Sequence, residues 1–143
     1  MTEKDMNAKS SLSIGVSKVL RPNVIILDQF QTAADAISEM KNNSARSVLV
    51  SNKKQEVIGL VSKTDILYKV LSLHKSIARV LLEEIMSTPI ISIPPDMSVG
   101  DALTVMEKRD IRQIVVSANS KIYGIIDREE IISKMEKALI ETN

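Results

Sequence analysis

Cysteine is absent from the 143 residues, which excludes disulfides, thiol catalysis, cysteine-bound zinc and iron–sulfur clusters. A lone histidine, His74, cannot make a histidine-rich metal site. Phe30, Tyr68 and Tyr123 are the whole aromatic set, too few for the stacking platforms that hold single-stranded nucleic acid or sugars. Neither sign of charge dominates: 19 Lys and Arg against 18 Asp and Glu leave +1, so the basic excess expected of a nucleic-acid-binding protein is missing. No stretch approaches the roughly 18 consecutive apolar residues of a membrane span. The opening MTEKDMNAKSSLS is polar and mixed in charge, without the apolar run of a signal peptide. The expectation is a soluble cytoplasmic protein that makes no membrane contact, with residues 1–15 as a mobile tail.

What is present is ordinary globular material, 44% hydrophobic and 26% charged, enough to build a core without staples. An internal repeat organises it. An offset of 66 residues sets Ile25 on Ile91, Asp35 on Asp101, Met40 on Met106, Arg46 on Arg112 and Val50 on Val116. One residue is then lost between NKKQE and ANSK, and an offset of 65 sets Gly59 on Gly124, Ile66 on Ile131 and Lys69 on Lys134. Each copy reads strand–helix–strand–strand–helix. VIIL at 24–27 and IISI at 90–93 are short apolar runs of strand length. Thr32 with Asp35, and Ser98 with Asp101, have capping-box spacing ahead of helical stripes at Ala33, Ala36, Ile37 and Met40 and at Val99, Ala102, Leu103 and Met106. SVLVS and QIVVS give the second strands, VIGLV and IYGII the third, with last helices beginning near Ser62 and Asp127.

Between the copies, Leu67, Val70, Leu71, Ile77, Leu81 and Ile85 recur at helical spacing, with a break expected across 72–76 and His74 on the stripe as a half-buried structural residue. The expected division is a tail at 1–15, a first repeat at 16–75 and a second repeat with the C-terminal helix at 76–143. The fold class is α+β, the two halves packing with pseudo-twofold symmetry because each alone leaves a sheet face and helix stripes uncovered.

Chemistry-bearing residues are few. GLVSKTD at 59–65 stands where a strand gives way to a helix, a place of unpaired backbone N–H groups and positive dipole that favours anions. There Gly59 permits close approach, Ser62 can donate to a phosphate, Lys63 adds charge and Asp65 can accept from ribose hydroxyls. The same Ser-x-x-Asp spacing also serves as a capping box that needs no ligand. Adjacent acids such as Glu83 and Glu84, or Glu129 and Glu130, point apart on a helix and are read as solvated charge. No nucleophile–base pair is present, so the chain is not expected to be an enzyme.

The repeat, the element order and GLVSKTD together resemble a pair of CBS domains, named after cystathionine β-synthase. The resemblance covers about residues 16–135. It extends to SARSVLV and DIRQIVV, with Arg46 and Arg112 at the family's basic position, and to EIMSTPIISIPPDMSVGDALTVM, with Met86 ahead of the first strand. It implies a regulatory module that takes AMP, ADP, ATP or S-adenosylmethionine in clefts between the repeats. Ser62 would lie on phosphate and Asp65 on ribose, with the base beside Asn23, Val24 and Ile25, or beside Ile90 in the second copy. The second copy departs from the pattern: in GIIDREE, Asp127 stands for the hydroxyl and Glu130 for the acid. Asp127 caps well but repels phosphate; Glu130 can still hold a ribose, and Arg128 partly compensates. One competent site and one altered site are therefore expected, without a required cofactor or metal. The resemblance also implies a homodimer that regulates a partner protein. A ligand-free dimerisation module and a nucleic-acid-binding CBS protein are the alternatives.

Overall fold

A computed structural model describes residues 12–141, with the side chains of 138–141 left aside. The chain folds into two compact units. The first unit is Asn23–Ile91; the second joins the residues before Asn23 to those from Ser92 onward. Most of the expected tail lies outside the described residues.

The first unit contains β1 (Ile26–Asp28), α1 (Ala33–Asn42), β2 (Ser47–Ser51), β3 (Val57–Ser62), α2 (Lys63–Ile66), a π-helical turn (Leu67–Leu71) and α3 (Leu82–Ile85). Its sheet has the order β1-β2-β3, β1 parallel and β3 antiparallel to β2. β1 begins two residues later than VIIL suggests, although the Ile25 carbonyl already accepts from Leu49 N at 2.8 Å. α1 starts at Thr32 with a complete capping box: Thr32 Oγ1 accepts from Asp35 N, and Asp35 Oδ2 accepts from Thr32 N. Ala33, Ala36 and Met40 on its stripe are fully buried, joining Leu27, Val48, Val50, Val61, Ile66 and Leu82 in one core.

The second unit repeats the plan with β4 (Ser92–Ile93), α4 (Val99–Arg109), β5 (Gln113–Ala118), β6 (Lys121–Asp127) and α5 (Arg128–Glu141). Its sheet order is β4-β5-β6, again parallel then antiparallel. The register of β2 with β3 slips between Val50 and Ser51, and that of β5 with β6 slips at the equivalent Val116 and Ser117. Val99, Ala102, Met106, Ile114, Val116, Ile126 and Ile131 are buried. The α+β class with two three-stranded sheets is thus the one the repeat pattern leads to.

Each unit is completed by a segment that precedes the other repeat. In the first unit Leu81 bridges Thr32, and Ser87 exchanges two backbone hydrogen bonds with Leu60 at 2.8 and 3.1 Å. In the second unit Gly15 bridges Ser98, Val99 N donates to the Ile14 carbonyl at 2.8 Å, and Arg21 exchanges two bonds with Ile125 at 2.9 and 3.1 Å. These bridges are equivalent under the repeat offset. Each bridging segment passes close over a glycine of the third strand. A Cβ on Gly59 would meet Met86, and one on Gly124 would meet the Arg21 backbone.

The helical stripe between the repeats is broken more widely than its spacing suggests. After the π-helical turn the chain runs through turns to Leu81 before α3 begins. His74 stands in the first of these turns at φ 57°, exposed, rather than half-buried on a helix. The helix ends before it, and its N–H donates back to the Leu71 carbonyl.

Candidate functional site

Register decides which residues meet. β1 runs parallel to β2 while β3 runs antiparallel to it, pairing Ser47 with Ser62. The residues leading into β1, the start of β2 and the end of β3 therefore share one end of the sheet. That end carries Asn23, Val24, Ile25, Arg46, Ser62, Lys63 and Asp65. Asn23, Arg46 and Lys63 are exposed, Val24, Ile25 and Asp65 half-buried, and Ser62 buried. Lys63 N donates to the Arg46 carbonyl at 3.0 Å, stitching the two strand ends together.

Ser62 caps α2. Its Oγ accepts from Asp65 N at 3.0 Å, and Asp65 Oδ2 accepts from Ser62 N at 2.9 Å. The capping-box reading of Ser-x-x-Asp is therefore fully realised. A hydroxyl that accepts one bond still has its own proton to give, and a carboxylate has four acceptor directions. Cap and ligand contact are compatible in one Ser and one Asp. Asp65 Oδ1 faces Lys69 Nζ at 3.5 Å, and the same ammonium donates to the Ile85 carbonyl at 2.9 Å. Lys69 belongs to this constellation but lies outside GLVSKTD; its i,i+4 spacing from Asp65 was the one signal for it. Gly59 stands three residues back from Ser62 and is buried under Met86.

The equivalent end of the second unit is filled differently. Asp127 is buried; its Oδ1 accepts from Glu130 N at 3.2 Å and its Oδ2 from Gln113 Nε2 at 3.1 Å. Arg128 N donates to the Arg112 carbonyl at 2.8 Å, the counterpart of the Lys63–Arg46 bond. Glu130, the expected ribose acceptor of this copy, is in an ion pair with Arg21 Nε at 2.5 Å. Arg128 reaches Glu129 at 3.8 Å while its Nε is buried without a hydrogen-bond partner. Arg112 is exposed. Ile90 is half-buried and belongs to the first unit. Among the described residues no cluster of acids and His has metal-site geometry, and no helix is long and apolar enough to cross a membrane.

Comparison with known proteins agrees with this architecture. A CBS-domain family model matches residues 16–72 and again 82–137. An uncharacterised protein of Methanopyrus kandleri is 33% identical over 131 residues, 91% of this chain and 66% of that protein. One from Methanocaldococcus jannaschii is 28% identical over 149 residues, 92% of this chain but 35% of the relative. The chain thus spans from about a third to just under two-thirds of the length of these relatives. Among solved structures, a hexameric CBS-CP12 protein from bloom-forming cyanobacteria superposes with a TM-score of 0.79 at 27% identity, covering 86% of this chain and 68% of that one.

Proposed function

From the premise that this chain belongs to the CBS-domain family, we propose that it is a non-catalytic sensor that binds an adenine nucleotide at the sheet end of its first unit and regulates a partner protein. The single observation that carries the reading is the convergence of Asn23, Val24, Ile25, Arg46, Ser62, Lys63 and Asp65 on one sheet end. Ser62 donates its hydroxyl proton to a phosphate, Lys63 and Arg46 supply positive charge, and Asp65 accepts from the ribose hydroxyls. The backbone and apolar side chains of Val24 and Ile25 flank the base. AMP, ADP, ATP and S-adenosylmethionine all have the adenosine part that this arrangement addresses. In the second unit, Asp127 opposes a phosphate and Glu130 is taken up by Arg21, so Arg112 and Arg128 serve a weak or altered site.

A thermal-shift panel of the four adenine ligands at millimolar concentration tests this. At about 100-fold excess over the dissociation constant, linkage adds about 2.7 kcal/mol, worth on the order of 10 °C in melting temperature for a chain of this size. A flat panel refutes nucleotide sensing. It would favour the second reading, a ligand-free dimerisation module, which draws on Leu67, Tyr68, Leu71 and Leu73, each half or more exposed. A homodimer is part of both readings; the cyanobacterial relative is itself hexameric. A nucleic-acid partner is disfavoured by the net charge of +1 and three aromatic residues.

A further inference from the structure

The ammonium of Lys69 joins its own turn to a part of the first unit sixteen residues further along the chain. On one side, 3.5 Å away, is Oδ1 of Asp65, the oxygen not engaged by the Ser62 N–H. On the other, 2.9 Å away, is the carbonyl of Ile85, the last residue of α3. A helix leaves its final carbonyls without intrahelical partners, and a cation there also meets the negative end of the dipole. The next two residues lie along β3, the strand that ends at Ser62: Met86 lies over Gly59, and Ser87 pairs with Leu60. The chain then leaves the first unit at Ile91. The π-helical turn Leu67–Leu71 carries Lys69. Such turns are rare insertions that recur at functional positions.

We infer that Lys69 is a positioning residue that ties the Asp65 carboxylate to the 82–87 segment, so that a ligand hydroxyl held by Asp65 is reported where the chain leaves the first unit. This rests on the proposal that Asp65 takes ribose. Such a hydroxyl draws on the same Oδ1 that Lys69 faces, and Lys69 is the side chain that holds Ile85. Occupancy of one oxygen therefore changes the hold on the other end of the same ammonium. Coupling of this kind has a physical warrant only if a displaced element responds, and the amides of Met86 and Ser87 are the reporters. They donate to the Leu82 and Leu60 carbonyls at 2.9 and 2.8 Å, so both are protected from exchange while the segment is seated.

Hydrogen exchange on the full chain, with and without AMP, tests the inference in the parent, Lys69→Met and Lys69→Arg. Methionine keeps an unbranched stem of nearly the same length and removes the charge; arginine keeps the charge. In the parent, AMP should change exchange at Met86 and Ser87 by about threefold or more, and 2′,3′-dideoxy-AMP, which lacks the hydroxyls, should not. Lys69→Met should still bind AMP, weakened about fivefold or less as befits a part-exposed ion pair, but lose the response at 86 and 87. Lys69→Arg should restore it. If Lys69→Met binds AMP and shows the parent's response, the coupling is wrong and the nucleotide reading stands. A response to dideoxy-AMP equal to that to AMP also overturns it. If the parent binds no AMP, the nucleotide reading fails and takes this coupling with it.

Discussion

Gly59 and Gly124 are equivalent in the repeat, and both lie under a bridging segment, but alanine at the two positions should have unequal effects. At Gly59 the new Cβ would lie 2.5 Å from Met86 Sδ, 2.9 Å from Cγ and 3.0 Å from Cβ. Two of those atoms belong to the movable part of an unbranched side chain that adapts to irregular gaps. At Gly124 it would lie 2.7 Å from Leu20 Cδ1, 2.9 Å from the Arg21 carbonyl carbon and nearer still to the Arg21 oxygen. That carbonyl accepts from Ile125 N at 3.1 Å, so it cannot retreat without loosening the two-bond bridge. Replacing Gly by Ala gains about 0.4–1 kcal/mol from the unfolded chain. Overpacking costs about 1–3 kcal/mol, and each lost backbone bond about 0.5–1.5 kcal/mol. Gly59→Ala should then fall within about 1 kcal/mol of the parent, as Met86 moves, whereas Gly124→Ala should lose about 2–4 kcal/mol. In urea, at a slope of about 2 kcal/mol/M, the second variant's midpoint should drop by roughly 1–2 M. Met86→Ala should relieve what strain remains in Gly59→Ala. Leu20→Ala should not rescue Gly124→Ala, because the obstruction is main chain. Equal midpoints for the two glycine variants would falsify this account of how the bridging segments seat.

Asp35→Ala should destabilise more than Asp101→Ala, by about 0.5–1 kcal/mol, because the Asp35 carboxylate accepts from the Thr32 N–H. Thr32 stands in a reciprocal box, while Ser98 Oγ accepts from Asp101 N alone; paired thermal melts compare the two variants. Leu71→Glu should shift a dimer toward monomer in sedimentation at micromolar concentration, since Leu71 lies in an exposed apolar group with Leu67, Tyr68 and Leu73; an unchanged dimer would clear this face. Arg21→Ala should cost no more than about 1 kcal/mol in chemical denaturation, because its side chain is 43% exposed in the pair with Glu130.

The repeat was legible because its signals are local. Capping pairs, strand-length apolar runs and the helical stripes each sit within a dozen residues, and the two copies check one another. The second and third strands fall within a residue or two of their sequence runs. The first strands are shorter and later than VIIL and IISI suggest, because apolar runs mark burial and the ladder begins only where partners exist. The bridges from Ser87 to Leu60 and from Arg21 to Ile125 left no mark in the sequence. They are main-chain contacts made across the repeat boundary, and no side-chain pattern encodes them. Nor did the sequence give Glu130 to Arg21, since the two are 109 residues apart. At the candidate site, Ser62, Lys63 and Asp65 were legible as a motif; Lys69 was not, because its second partner is a backbone carbonyl.

Ser62 and Asp127 put the nucleotide proposal to its sharpest test. Lys63 and Lys69 outweigh Asp65 around the first, whereas Asp127, Glu129 and Glu130 are only balanced by Arg21, Arg128 and Lys134 around the second. Exposed charges are screened within roughly 8–10 Å at ordinary ionic strength, so this difference in field is secondary to the group in contact with the phosphate. Ser62→Asp isolates that group. Aspartate caps a helix as well as serine does, and the second unit already buries one at the equivalent place with Gln113 as donor. The residue opposite Ser62 is Ser47, so Ser47→Gln is added in a companion variant to supply the missing amide. The double variant should fold within about 1 kcal/mol of the parent and bind AMP at least ~30-fold more weakly, the scale of a lost charge-assisted bond. Adenosine, which has the ribose and base but no phosphate, should lose less than about threefold by the same reasoning. Titration calorimetry with both ligands separates the cases. If adenosine and AMP weaken alike, the carboxylate is distorting the site rather than repelling a phosphate, and Ser62 is a cap and nothing more.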